Sequence, residues 1–198
     1  MSKFFYPLVD NPYRKKDINR AIKILKSFKI TSGIKTINFQ NSFQKKIKVN
    51  NALMVNSGSS ANLLALQCLI NPYRKKRLKR GDEILIPSLC WSTSLWPIIQ
   101  SGLKPKFVDI DKTTLNIDLK DLKSKITKRT KGILIVHVLG NSTNMNELIK
   151  IKKRHNLYLI EDTCESLGTK FDNKYLGTFG EFSSFSFYSS HQISSGEG

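Results

Sequence analysis

The chain has 198 residues, 39% of them hydrophobic and 10% aromatic, and its 33 Lys and Arg against 15 Asp and Glu give a net charge of +18. This length fits one large domain or a domain and a half, with a real buried core. No apolar run approaches the ~20 residues of a membrane helix, and the first residues lack the apolar core of a signal peptide, so we expect a cytoplasmic protein without a membrane span.

The first 50 residues form a predicted helical segment. Residues 17–28 carry apolar side chains at Ile18, Ile22 and Leu25, the spacing of one helix face. Residues 31–33 (Thr-Ser-Gly) interrupt this pattern, and a second helix is predicted over residues 38–48.

From residue 52 onward, short apolar runs alternate with helical stretches. The predicted strands are 52–55, 83–87, 106–110, 132–138 and 157–161, and the helices after the first four of them end near 69, 100, 126 and 154. Two more runs, at 168–171 and 182–188, also have strand character. Such alternation predicts an α/β fold in which helices cover both faces of a mostly parallel sheet.

Positive charge is densest in residues 74–80, which lie in a predicted loop and contain six Lys or Arg residues. One interpretation is a solvated loop, and the other is a surface that attracts phosphates or a partner, nucleic acid included. The remaining lysines are spread over nearly every predicted element. The charge alone does not choose between these interpretations.

The three cysteines, Cys68, Cys90 and Cys164, are far apart and form no CxxC pair. An odd number of cysteines without metal-ligand spacing is typical of reduced thiols in a cytoplasmic protein. We therefore expect neither a zinc site nor an iron–sulfur site within these residues.

The segment Ser57-Gly58-Ser59 follows a predicted strand and opens an apolar helix. Free N–H groups at a helix start, together with the helix dipole, favour a phosphate, and a glycine lets the backbone approach it closely. The alternative is an ordinary serine N-cap.

Two later polar positions are also candidates. Asp162 ends a predicted strand, where ligands of open α/β sheets bind, and could pair with a ring nitrogen; the alternative is a capping carboxylate. His191 lies in a Ser/Gly-rich turn after an apolar strand and could be catalytic or simply structural.

Taken together, these segments resemble the DegT/DnrJ/EryC1/StrS sugar aminotransferases, which are pyridoxal-phosphate enzymes of fold type I. The resemblance runs from about Asp17 to Gly198. The segments that carry it are 31–33, 57–62, 81–87, Trp91, 107–111, 139–141, 161–162, 177–180 and 185–187. It implies an aspartate-aminotransferase-like large domain over residues 1–198 and a homodimer. It also implies a small C-terminal domain beyond the turn-like residues 196–198, where we expect the natural chain to continue.

The resemblance also assigns roles around a pyridoxal or pyridoxamine 5′-phosphate. Gly58, Ser59 and Ser186 would bind the cofactor phosphate. Asp162 would keep the pyridine nitrogen protonated, which makes the ring an electron sink. Trp91 would lie against the ring, although it could instead be a core or interface aromatic residue.

Two departures from the aminotransferase pattern carry the functional prediction. His191 occupies the position of the lysine that holds the cofactor covalently, and an imidazole can transfer protons but cannot form that bond. Glu165 stands where a neutral or imidazole side chain usually lies near the ring hydroxyl. Both resemble the branch that removes the C3 hydroxyl of nucleotide-linked 4-keto-6-deoxy sugars, as in the colitose pathway of O-antigen synthesis.

The resemblance thus implies a 3-dehydratase with His191 as its base, a nucleotide-diphosphate 4-keto-6-deoxy sugar as substrate and glutamate as amino donor. Three alternatives remain: a sugar aminotransferase, a 3-dehydrase that depends on an iron–sulfur cluster bound by cysteines beyond residue 198, and a non-catalytic nucleic-acid-binding protein. The nucleotide and the hexose are not predicted.

Overall fold

A computed structural model describes residues 13–195 and residue 198. Its helices are α1 (Lys15–Lys26), α2 (Ile34–Ile47), α3 (Gly58–Ile70), α4 (Ser92–Gln100), α5 (Leu119–Lys125) and α6 (Met145–His155). Its strands are β1 (Glu83–Pro87), β2 (Lys104–Val108), β3 (Thr130–Val136), β4 (Tyr158–Asp162), β5 (Lys170–Phe171), β6 (Lys174–Tyr175) and β7 (Phe182–Ser184). The sequence prediction of an α/β fold is confirmed.

Five of these strands form one parallel sheet in the order β2-β1-β3-β4-β7, and β5 and β6 form a separate antiparallel hairpin. Every residue of β1 and β4 is buried. Strands covered on both faces have this near-continuous apolar character. Because all five strands run the same way, their carboxyl ends share one edge of the sheet.

Alternating side chains of the strands supply two apolar cores. Ile84, Ile86 and Ile160 point to the face that α3 and α4 cover. Leu85 and Leu159 point to the opposite face, which α5 and α6 cover. This period of two within each strand is the pleat of a sheet that is buried on both sides.

The prediction of a strand at residues 52–55 is wrong. These residues form no β-ladder among the described residues; Met54 instead donates its backbone N–H to the side chain of Gln40 on α2, at 2.8 Å. A groove of about 1080 Å³, lined also by β7, separates the segment from the sheet. An extended segment becomes a strand only when a neighbouring backbone pairs with it.

The predicted strand at 182–188 is shorter than expected and ends at Ser184. The residues that follow leave the sheet and pack against α2 through edge-to-face aromatic pairs. Phe43 contacts Phe185 at 5.0 Å between ring centroids, and Phe39 contacts Phe187 at 5.1 Å. Phe185 and Phe187 therefore pack α2 against the end of the sheet and do not extend β7.

Of the predicted strand at 168–171, Lys170 and Phe171 form a strand, which is β5 of the short hairpin. Within the described ranges, no helix is both long and apolar enough to cross a membrane. The three cysteines are free thiols, and among residues 13–195 and 198 no cluster of His, Cys, Asp and Glu could hold a metal ion.

Candidate cofactor-binding site

The carboxyl edge of the sheet brings the predicted site residues into one neighbourhood. Asp162 is the last residue of β4, Ser186 lies two residues beyond β7, and Trp91 immediately precedes α4 after β1. The start of α3 lies against the same edge. This is the edge at which ligands of open α/β sheets bind.

Close packing at the start of α3 explains why position 58 is a glycine. A Cβ atom at Gly58 would lie 2.9 Å from Cys164 Sγ and 3.9 Å from the Cβ of Ser186. Ser57 is the N-cap and accepts a hydrogen bond from the backbone N–H of Ser60 at 3.2 Å, as the N-cap interpretation expected. The backbone N–H groups of Gly58 and Ser59 have no acceptor among the described residues. They remain available to a phosphate beside Ser186.

Asp162 is buried, with 5% of its surface exposed, and its two oxygens have different partners. Oδ2 accepts hydrogen bonds from Asn62 Nδ2 at 2.8 Å and from Ser94 Oγ at 2.7 Å. Within the part of the chain that the structure describes, the N–H donor to Oδ1 is the backbone of Cys164, at 3.2 Å. This carboxylate is therefore more than a local cap, because it joins α3 and α4 to the end of β4.

The buried anion also affects its neighbours. Burial raises the pKa of the Cys164 thiol well above its usual range, and the charge of Asp162 raises it further. Burial and then Asp162 raise the pKa of Cys90 in the same way. Both thiols stay protonated, so they are poor nucleophiles and do not add negative charge to the site.

The adjacent Glu161 has a separate, structural role on the opposite face of β4. Its carboxylate accepts backbone hydrogen bonds from Gly177, Phe179 and Gly180 at 2.6–2.8 Å, and it lies 3.1 Å from Nε2 of the buried His137. This side chain holds the loop that leads into β7. The sequence pattern alone does not indicate that residue 161 and residues 177–180 bind each other.

His191 is held by a backbone hydrogen bond to the carbonyl of Tyr188 and by an edge-to-face contact between the two rings. Its Nδ1 atom is buried and has no hydrogen-bond partner among the residues that the structure describes. The buried Nδ1 of His137 is likewise unpartnered among these residues, so the free nitrogen of His191 is compatible with a further group and does not by itself require one.

The neighbouring Gln192 connects the His191 turn to the segment that follows β4. Its side-chain amide donates to the backbone carbonyl of Glu165. The carboxylate of Glu165 accepts the backbone N–H of Leu139 at 2.9 Å. The geometry thus assigns Glu165 a contact to the turn after β3, and its predicted contact with the cofactor ring hydroxyl stays a prediction.

Trp91 is 73% exposed, so the core alternative does not apply within this chain. It is the N-cap residue before α4 and makes no side-chain capping bond. A large aromatic surface left open beside a polar site is suited to stacking on a planar ring.

The chemical groups of the described residues fit a bound pyridoxal or pyridoxamine phosphate. The buried carboxylate of Asp162 is available to a protonated ring nitrogen. The N–H groups at the start of α3 are available to a phosphate, and the exposed indole of Trp91 is available to a ring face. The orphaned Nδ1 of His191 agrees with a further group at this position.

Sequence reasoning did not assign roles to Asn62 and Ser94, the two donors to Asp162. A signal was available, because Asn62 follows Gly58 by four residues and Ser94 follows Trp91 by three. These spacings place each pair on one helix face. The sequence does not show that both helix faces meet the same carboxylate, that of Asp162.

Comparisons with known proteins agree with this geometry. A model of the DegT/DnrJ/EryC1/StrS aminotransferase family matches residues 12–198. The GDP-4-keto-6-deoxy-D-mannose 3-dehydratase of Escherichia coli O55:H7 is 43% identical over 193 residues, which are 98% of this chain and 50% of that protein.

Two similar solved structures are both GDP-4-keto-6-deoxymannose 3-dehydratases. The E. coli enzyme with bound hydrated PLP has a TM-score of 0.92 at 42% identity, covering 98% of this chain and 49% of that one. The other, with a trapped PLP-glutamate geminal diamine, has a TM-score of 0.92 at 42% identity and coverages of 98% and 50%. The chain spans about half the length of these relatives. It belongs to the DegT/DnrJ/EryC1/StrS aminotransferase family.

Proposed function

We propose that this chain is the cofactor-binding large domain of a nucleotide-sugar 3-dehydratase that uses pyridoxamine phosphate. Its substrate would be a 4-keto-6-deoxy sugar on a nucleotide diphosphate, and its product would lack the C3 hydroxyl. The observation that carries the proposal is His191, an imidazole with a buried, unpartnered Nδ1 among the described residues, at the position of the aminotransferase lysine. The names of the most similar relatives support the same reaction.

The chain's residues would divide the binding of the cofactor among them. Gly58, Ser59 and Ser186 hold its phosphate, Trp91 covers one ring face and Asp162 keeps its ring nitrogen protonated. When bound, the cofactor supplies a primary amine for the C4 ketone and a cationic ring that accepts electrons. Glu165 would lie near the ring hydroxyl.

His191 would move protons at two places. As a base it removes the proton from the carbon that bears the cofactor's amine, and as an acid it then protonates the departing C3 hydroxyl. An imidazole suits both steps because it accepts and donates protons near neutral pH. A lysine at this position would bind the cofactor covalently and favour amino transfer.

We further propose glutamate as the donor that restores the amine, a homodimer as the working unit and the cytoplasm as its location. The glutamate route is supported by the relative with a trapped PLP-glutamate geminal diamine. It distinguishes the protein from dehydrases that complete their reaction with an iron–sulfur cluster.

The test replaces His191 in the full-length protein. Loss of a general acid–base residue lowers rates by roughly 10²–10⁴-fold, so His191→Asn should reduce C3 deoxygenation by that factor while cofactor remains bound. His155→Asn is the matched control, since His155 lies exposed at the end of α6. Product formation is followed by mass spectrometry, and bound cofactor by absorbance.

Two results would contradict the proposal. Undiminished deoxygenation by His191→Asn would remove this residue from the mechanism. Borohydride trapping of the cofactor onto a lysine of the wild-type protein, with transfer of an amino group to the keto sugar, would favour the aminotransferase alternative.

A further inference from the structure

The side chains of Asn62 and Ser94 meet at one atom of the cofactor site, Asp162 Oδ2. Asn62 Nδ2 lies 2.8 Å from this oxygen and Ser94 Oγ lies 2.7 Å from it. Each side chain is 1% exposed and comes from a different helix, α3 or α4. Two donors on one carboxylate oxygen occupy both of its lone pairs.

The orientation of Asn62 indicates that its role is to hold the carboxylate. Its Oδ1 is buried without a hydrogen-bond partner among the described residues. An unsatisfied buried acceptor is destabilising, so this position is poorly explained by stability alone. Rotating the amide would place Oδ1 against Asp162, and the negative charge of the carboxylate opposes that rotation.

Both donors lie near the starts of their helices, Asn62 as the fifth residue of α3 and Ser94 as the third residue of α4. Asn62 lies one turn after Gly58 and Ser59, and Ser94 lies one turn after Trp91. Residues three or four apart share a helix face. Each helix start therefore presents one residue to the cofactor and a second residue to Asp162.

We propose that Asn62 and Ser94 are positioning residues that hold Asp162 with Oδ2 satisfied and Oδ1 available to the cofactor's ring nitrogen. This inference rests on the proposed function. Among the described residues, Oδ1 accepts a 3.2 Å hydrogen bond from the backbone N–H of Cys164, and its second lone pair has no N–H or hydroxyl donor.

The hydrogen bonds to Oδ2 also stabilise the charged form of the carboxylate. A carboxylate facing a pyridine nitrogen can share its proton in two ways, as a carboxylate with a pyridinium or as a carboxylic acid with a neutral pyridine. Donors to the carboxylate favour the first form. Asn62 and Ser94 thereby keep the ring cationic and able to accept electrons.

The experiment measures the ring nitrogen itself, in the full-length protein loaded with ¹⁵N-labelled pyridoxamine phosphate. Asn62→Leu removes the amide donor at similar volume, and Ser94→Ala removes the hydroxyl. Since a hydrogen bond to a charged group is worth about a factor of ten or more, each variant should shift the equilibrium from pyridinium toward neutral pyridine by roughly tenfold. The ¹⁵N chemical shift, followed against pH, reports this change.

Two matched controls use a hydrogen bond of the same helices away from the site. Gln67 on α3 donates at 3.1 Å to the hydroxyl of Ser101, the buried C-cap residue of α4. Gln67→Leu and Ser101→Ala should leave the ¹⁵N shift unchanged. Thermal unfolding of all four variants separates a loss of folding from a change at the ring.

The outcomes distinguish the inference from the function on which it rests. Cofactor bound with an unchanged ¹⁵N shift in both Asn62→Leu and Ser94→Ala would overturn the positioning role and leave the proposed function standing. A wild-type protein that binds no cofactor would overturn the proposed function and this inference with it. A shift in the site variants, absent from the controls, would support the inference.

Discussion

Gly58 is the residue at which packing most directly restricts the site. Its backbone lies so near Cys164 that a methyl group would come within 2.9 Å of the sulfur. Its φ angle lies outside the left-handed region, so space and not backbone freedom requires glycine here. The close approach places the start of α3 beside Ser186.

We predict that Gly58→Ala destabilises the protein by about 1–3 kcal/mol, the usual result of overpacking a filled site. The urea unfolding midpoint measures the change. The control is a double-mutant cycle with Cys164→Ala, which removes the sulfur that the methyl group meets. If the two substitutions proved additive in the cycle, the contact would not be the cause.

Glu161 and Asp162 show that two adjacent acids of one strand can have unrelated tasks. Successive side chains of a strand point to opposite faces, so Glu161 reaches the loop at residues 177–180 and Asp162 reaches α3 and α4. The sequence marks both as acids at a strand end. Only the position of their partners separates the structural acid from the cofactor acid.

At the scale of elements, Glu83 joins the amino ends of β1 and β3. Its carboxylate accepts a 2.7 Å hydrogen bond from Thr127 and pairs with Arg129 at 2.9 Å, both in the turn before β3. The hydrogen bond from Thr127 does most to lower the pKa of Glu83 below its usual value. Burial opposes this effect, and the charges of Arg129 and Lys106 add to it.

This lowered pKa predicts a pH-dependent contribution to stability. The stabilisation is fully present above the unfolded-state pKa of about 4.3 and is lost as the pH falls through the lower folded pKa. We expect Glu83→Gln to cost about 1 kcal/mol or more at pH 7 and progressively less in acid, measured by urea unfolding from pH 7 to 3. Glu147→Gln is the control, since its ion pair with Lys123 is half-exposed and should contribute little. A pH-independent loss in Glu83→Gln would contradict the assignment.

The helix α1 forms as its periodicity predicts, yet none of its residues is buried. Ile18, Ile22 and Leu25 are 42–61% exposed. A pattern of apolar residues determines which face of a helix will be covered and does not supply the covering element. The same reasoning applies to residues 52–55, whose apolar side chains lack a paired strand.

For the whole molecule, the net charge of +18 is spread widely and its densest run lies far from the site. Residues 74–80 precede β1, at the amino edge of the sheet, and only Leu78 among them is buried. Lys76 lies 4.8 Å above the ring of Tyr158, at the start of β4. The solvated-loop interpretation fits this location, and the run does not contribute to the candidate phosphate site.

An excess of like charge should weaken the folded state through self-repulsion. We predict that urea unfolding midpoints rise between 0.1 M and 1 M NaCl, where the screening length falls from about 10 Å to about 3 Å. Lys75→Glu/Arg77→Glu, at two exposed positions, lowers the net charge by four units and should reduce the effect. Equal salt dependence in this variant and the wild type would show that salt acts in another way.

The sequence by itself determined the alternation of strands and helices from β1 to β4, the family resemblance and the choice of candidate residues, because periodicity, turn residues and motif spacing are local properties of the chain. Only the tertiary structure decided that Asn62 and Ser94 both bind Asp162, that Glu161 holds a distant loop, and that residues 52–55 remain outside the sheet. The first two depend on contacts that the packing of the sheet and helices forms across 16 to 100 positions of sequence, and the third depends on the lack of a neighbouring strand. Contacts of that range follow from how the elements pack, which no single segment encodes.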